Sequence, residues 1–413
     1  MRLHWKYAVS RFLKIALLSI TTTTFLLLVG CGGASSTSES LTDTNADTQE
    51  HSPDTNTENT KPEPATEEVA DAGTDEPATE EVADAGTDDP AIVETTYQIA
   101  GTYCSCGLTS EKASSINRDT EGLDYLDGVL VRISWADLNP QIGIYDWSYI
   151  DEQIEYAEAR GIHITLAVMN GPYAPKWLAD EGATFIDYVI RNDSRSLPLP
   201  WDDVYLSYYK EFIAALGEQY KDSNTIALIH MTNATTNGFE MQYNFSTETE
   251  AEFQSAGYSE SVLIDSWKSV IDAFATAFPS TPIDIEVHPV FFSDEVPNKV
   301  VDYGLKTYGK RFGVFAAWWS EHNALNVYTG AYALIQRAVQ ESFASLQMVG
   351  AVINDIGSSS LTIDELTAAL ELAISNGVYY IEIWNADLIN SDLDTLILEH
   401  DIIVEDFKAS SAE

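Results

Sequence analysis

From residue 97 onward, apolar residues follow two alternating periods. Short runs of aliphatic and β-branched residues, closed by polar or aromatic side chains, read as buried strands. Longer stretches with apolar positions every three or four residues read as amphipathic helices. Strands are predicted at Tyr97–Cys104, Val129–Ile133, Ile162–Val168, Thr225–His230, Pro282–Val287, Phe312–Trp318, Leu346–Ile353 and Val378–Ile383. Helices are predicted in most of the intervals. One carries Tyr149, Ile150, Ile154 and Ala157 and stops at Gly161. Others cover 205–220, 259–278, 331–342 and 361–375. In the last, Thr362 and Glu365 form a capping box, with Gly377 as the stop.

A strand, one helix and a second strand form a parallel βαβ unit. Eight such alternations over residues 97–413 predict an α/β fold, the (β/α)₈ TIM barrel. A doubly wound open sheet would usually show a Gly-rich phosphate turn after its first strand. The chain has none, so the barrel is preferred and no cofactor is expected. In such barrels the carboxyl ends of the strands carry the site.

Residues 1–96 follow neither period. Arg2, Lys6, Arg11 and Lys14 precede an apolar stretch that ends Leu28-Val29-Gly30-Cys31. This resembles a bacterial lipoprotein signal, 1–30, in which Cys31 becomes the acylated first residue. Gly32 after that cysteine resembles an outer-membrane address, so attachment to the cell envelope through the N-terminal lipid is expected. Residues 31–96 are rich in Thr, Glu, Asp, Ala and Pro and hold the block EPATEEVADAGTD twice in tandem. Such a segment has too little apolar surface to fold and reads as an extended, self-repelling tether.

The formal net charge of −44 argues against nucleic acid and polyanionic substrates. Apart from Cys31, the cysteines are Cys104 and Cys106. Their C-x-C spacing lacks a zinc-site pattern and reads as structural, either as a tight disulfide or as two buried thiols.

Candidate chemistry gathers at the strand ends. Trp135, Trp177, Trp318, Trp319 and Trp384 fall at or near them, and aromatic faces suit the C–H faces of sugars. His230 and His288 also lie near strand ends and read as hydrogen-bonding groups, while His163 falls at the opposite end of its strand. No metal set is predicted, because the first strand lacks H-x-H, and neither a G-x-S-x-G elbow nor a phosphate loop occurs.

The stretch VRISWADLNPQIGIYDWSYIDEQIEYAEARGI carries Arg132, Trp135, Pro140, Gly143, Tyr145, Asp146, Trp147 and Gly161, and APKWL follows it. It resembles the retaining β-glycosidase clan of TIM-barrel glycoside hydrolases, including its β-galactosidase-like members. The resemblance implies two opposed carboxyl groups, one acting as acid/base and the other as nucleophile. The clan's acid/base follows an Asn at the fourth strand end, and its nucleophile ends the seventh strand. Here Asn233 is followed by Ala234, and Asn354-Asp355 closes the expected seventh strand. The expected catalytic residues are therefore Glu240 as acid, with Glu382 or Asp355 as nucleophile; Glu286 and Glu321 are reserves. Arg132, Trp135, Asn170, His230, Asn233, His288, Trp318, Trp319 and Trp384 are expected to bind substrate. A carbohydrate substrate is the expected partner. Ala234 also motivates an alternative, a surface carbohydrate-binding barrel that has lost catalysis.

Overall fold

The structure is a computed structural model, and it describes residues 99–106, 120–190, 192–352 and 360–411. Cys31, the tether and Asp355 lie outside these residues. Among the described residues, no helix is long and apolar enough to cross a membrane.

Eight parallel strands close into a barrel in chain order: β1 (Ala100–Ser105), β2 (Gly128–Ser134), β3 (His163–Met169), β6 (Ile226–Met231), β7 (Ile283–Glu286), β8 (Phe312–Trp319), β9 (Ala344–Met348) and β10 (Tyr379–Trp384). β10 pairs with β1 to complete the ring. A two-stranded antiparallel hairpin, β4 (Phe185–Ile190) and β5 (Asp193–Pro198), follows β3 and stands apart from the barrel.

Each βα step has a local cause. The helix Ser148–Arg160 follows a turn in which Asp146 accepts the Ser148 N–H and hydroxyl, and it ends on Gly161 at φ 68°. Only a residue without Cβ adopts that left-handed angle readily. Asp202 and Ser259 cap the helices Asp203–Tyr220 and Glu260–Ala277. Thr362 and Glu365 form the predicted capping box of Ile363–Ser375.

Three helices and the hairpin escaped the sequence reading. The helix Glu295–Tyr308 contains Pro297 in its first turn, where a missing N–H costs little, and Gly304 against the Phe312 ring. Those two residues hid it. Thr247–Ser255 and Asp394–Ser411 are the others. β9 is also shorter than predicted: the chain turns away after Met348, and the Val349 N–H bonds to the Trp319 carbonyl at 3.0 Å.

Cys104 and Cys106 are joined by a disulfide, and both are buried. The outer core lies between barrel and helices. Trp135 packs there against Tyr205, Tyr209 and Phe212, and Tyr145 stacks on Trp147 at 5.2 Å beside Phe212. The aromatic turn of the glycosidase-like stretch is therefore packing that seats a helix on β2.

Inside the barrel two apolar clusters are bridged by polar groups. One holds Tyr103, Leu228, Phe343 and Tyr380, and the other Leu130, Ala167, Met169, Phe239, Phe315 and Ala317. His230 touches rings of both clusters, Phe315 at 4.6 Å and Tyr380 at 6.5 Å. Its Nδ1 lies 2.8 Å from Asp284 and its Nε2 3.2 Å from Glu382. Such buried charges persist only when paired.

Candidate active site

Side chains two apart on a strand share a face, so each barrel strand sends alternate residues inward. The last inward residues at the carboxyl ends form a cleft of about 520 Å³. Arg132 comes from β2, Trp318 from β8, Gln347 from β9 and Trp384 from β10. His288 and Tyr328 come from the segments after β7 and β8, and Glu240 from the long loop after β6.

The Glu240 loop is held at several points. Asn237 Oδ1 accepts the backbone N–H groups of Phe239 and Glu240 at 3.0 and 2.9 Å, the local turn that Asn-Gly favours. Gly238 has φ 77°, and a Cβ there would sit 2.2 Å from the Asn170 carbonyl oxygen. That close approach lets the Asn170 N–H bond to the Gly238 carbonyl at 2.9 Å, tying the loop after β3 to the loop after β6. Phe239 dips into the barrel mouth, and Met241 is fully buried. Glu240 is thus carried between two apolar anchors, with its side chain 24% exposed to the cleft.

The carboxyl of Glu240 has an unusual setting. Removal from water raises its pKa, and the Glu286 charge raises it further, while His288 and Arg132 act in the opposite sense. The Gln242 amide donates to Glu240 Oε2. Glu286, at the end of β7, is buried and accepts the Met241 N–H at 2.7 Å. His288 Nδ1 lies 2.6 Å from Glu286 Oε1, and its Nε2 lies 3.8 Å from Glu240 Oε2. Burial opposes the charge on His288, but Glu286 outweighs it and raises the pKa.

The aromatic walls are fixed from behind. The Trp318 indole donates to the Val287 carbonyl at 2.7 Å, and the Trp384 indole to Met348 at 2.7 Å. The Arg132 guanidinium lies 5.6 Å from the Trp384 ring centroid and 5.8 Å from that of Phe239. Tyr328 packs edge-on to His288 at 4.8 Å.

The structure brings Arg132, Glu240, His288, Trp318 and Trp384 together and places the other predicted residues elsewhere. Trp135 is core, as described, and Trp319 donates to the Ala369 carbonyl on the helix side of β8. Asn170 and Asn233 are fully buried around the Tyr205 hydroxyl, Asn170 donating to it at 2.9 Å and Asn233 accepting from it at 2.7 Å. They brace loops and do not face the cleft.

His230 and Glu382 lie below the cleft floor. Glu382 has no exposed surface; Gln347 and Tyr380 donate to it at 2.6 and 2.7 Å. The alternation that directs Trp384 to the rim puts Glu382 one layer deeper, so the expected nucleophile is an interior ion-pair partner. Asp355, the other candidate, lies outside the described residues.

Gln347, Tyr328 and Gln242 were missed by the sequence reading. Gln347 falls near the start of the predicted seventh strand, and only the earlier end of the observed strand, at Met348, brings it to the rim. Glu240, Glu286 and His288 bring ligand-type atoms within 4.8 Å of one another. Of the two imidazole nitrogens, Nδ1 faces Glu286 and Nε2 faces Glu240.

The fold and cleft define a TIM barrel with a sugar-sized, aromatic-walled site, the class to which glycoside hydrolases belong. The sequence agrees: residues 114–280 match the β-galactosidase family Glyco_hydro_42. A β-galactosidase of Arthrobacter sp is 29% identical over 105 residues, which are 24% of this chain and 15% of that protein. The chain therefore spans a small part of the length of this relative. Among solved structures, the catalytic domain of β-amylase from Paenibacillus polymyxa aligns with a TM-score of 0.50 and 11% identity, covering 69% of this chain and 93% of that one. A β-galactosidase from Bacillus circulans gives 0.47 and 14%, covering 70% and 50%. The expected barrel fold holds, and the expected resemblance to glycoside hydrolases is seen in residues 114–280.

Proposed function

We propose that the domain is an O-glycosyl hydrolase acting on a neutral oligo- or polysaccharide in the rim cleft, with Glu240 as the proton donor. The observation that carries this reading is a carboxyl with a raised pKa, held between buried anchors in an aromatic-walled cleft. A carboxyl whose pKa is raised holds its proton more readily and can protonate a leaving oxygen as the glycosidic C–O bond breaks. Trp384, half-buried at the rim, offers an apolar face against which a pyranose ring stacks. Arg132 and Asn237 offer donors to its hydroxyls.

A double displacement needs a second carboxylate to capture the anomeric carbon, after which water releases the sugar. Glu240 is the one carboxylate among the described lining residues. Asp355, in the segment that follows β9, is the remaining candidate and is assigned that role. Glu240→Gln should abolish turnover of substrates with poor leaving groups and spare activated aryl glycosides in part. Equal activity of wild type and variant on both would overturn the assignment. The anomeric configuration of the first product, read by NMR, reports retention.

A second reading, carbohydrate binding without turnover, is favoured by Ala234 and by the neutral Gln347 at the tip of the seventh barrel strand. Tight glycan binding with no product from any glycoside would select it. In either case Cys31 is proposed as the lipid attachment point and 31–96 as a tether holding the barrel off the outer membrane. Palmitate labelling lost in Cys31→Ser checks this.

A further inference from the structure

We propose that Glu286 and His288 are positioning residues that form a relay governing the proton on Glu240. Glu286 lies against the imidazole at Nδ1 as its ion-pair partner, and Nε2 faces the Glu240 carboxyl. This deepens the proton-donor reading above and rests on it.

The three side chains are clustered, with one ligand-type atom of each within 4.8 Å of the others. Glu286 Oε1, His288 Nδ1, His288 Nε2 and Glu240 Oε2 follow one another, with contacts of 2.6 Å and 3.8 Å at the two ends. Glu286 is itself fixed by the Met241 N–H, one residue beyond Glu240 in the chain. The base of the relay and the group it serves are thus held by the same loop, so their separation is set by local backbone. His288 cannot swing freely, because Tyr328 and Trp318 pack edge-on against it at 4.8 and 6.3 Å. The charged or titratable groups that face the pair are Glu286 from β7, Arg132 from β2 and Tyr328 from the segment after β8.

The consequence is a carboxyl poised by opposing charges. Glu286 favours the cationic form of His288, and positive charge at the imidazole opposes the rise in the Glu240 pKa. When Glu240 gives its proton to the leaving oxygen, the resulting carboxylate faces an imidazolium already in place. The cation stabilises the charge created in that step.

The test uses the full chain with labelled histidine and glutamate, titrated by NMR, alongside the pH–rate profile. In the wild type, His288 should titrate above its ordinary value. Glu286→Gln should lower that midpoint by about a unit or more. His288→Gln should raise the Glu240 midpoint and move the alkaline limb of the rate profile upward by the same amount. A merely structural role would lower stability and leave both midpoints in place, which overturns the proposal. Stoichiometric uptake of added Zn²⁺ that is lost in both variants also overturns it, in favour of a chelate. If the midpoints move but no glycoside is turned over, the relay stands and the hydrolase reading falls.

Discussion

Glu240 and Trp384 show how single residues divide the work of the cleft. Glu240 owes its raised pKa to removal from water first and to Glu286 second. Replacing it with Gln keeps the shape and removes the proton. We expect kcat on unactivated glycosides to fall about 10²- to 10⁴-fold, measured by steady-state kinetics, with a smaller loss on activated aryl glycosides. Trp384 presents a half-buried ring beside Arg132, anchored by its indole N–H. Trp384→Ala removes a stacking face without touching Glu240, the proposed proton donor. KM or the binding constant should weaken about tenfold, with kcat changed far less, as calorimetry and kinetics will show.

At the scale of elements, the loops decide what the barrel can do. The loop after β6 reaches the cleft because Gly238 packs directly on the backbone of the loop after β3. A methyl group at 2.2 Å from the Asn170 oxygen cannot be accommodated, and φ 77° is already unfavourable for alanine. Gly238→Ala should therefore push the two loops apart and displace Glu240. We expect a loss in kcat/KM of about tenfold or more with the barrel still folded, checked by kinetics and circular dichroism. The pattern around the site was only partly readable. Asn237-Gly238 announced a turn. The burial of Phe239 and Met241 on either side of Glu240 came only from the structure. Nothing local announced that the loop would dip into the barrel mouth, because its partners Leu130, Met169, Phe315 and Ala317 come from three other strands.

At the scale of the whole molecule, two buried histidines set opposite pH dependences. Burial disfavours charge on His230, but Asp284 and Glu382 outweigh it, and its pKa rises from 6.5 to about 9. The folded state binds this proton more tightly, so its contribution, ~3 kcal/mol, is complete below pH 6.5 and fades as pH climbs through 9. His400 is buried, and removal from water lowers its pKa from 6.5 to about 4. Its unfolded form takes up a proton that the folded form refuses, so stability drops as pH falls from 6.5 toward 4. Stability should therefore peak near pH 6.5 in denaturant titrations between about pH 4 and 10. His400→Gln should flatten the acid side, and His230→Gln the alkaline side.

The order of strands and the class of fold were legible from residue order, because a period of two or of 3.6 is a local property of the chain. Arg132, His288, Trp318 and Trp384 were legible for the same reason, lying at or just after strand ends. Depth was not legible. Trp135 and Trp319 look like Trp318 and Trp384 in the sequence, and Glu382 looks like a rim carboxylate. Which face of a strand turns inward, and how far down the barrel a residue sits, depends on the stagger between strands that are distant in the chain. Only closure of the ring fixed that stagger. It sent Glu382 beneath the floor to His230, sent Trp319 to the helices, and left Glu240 as the acid facing the cleft among the described residues.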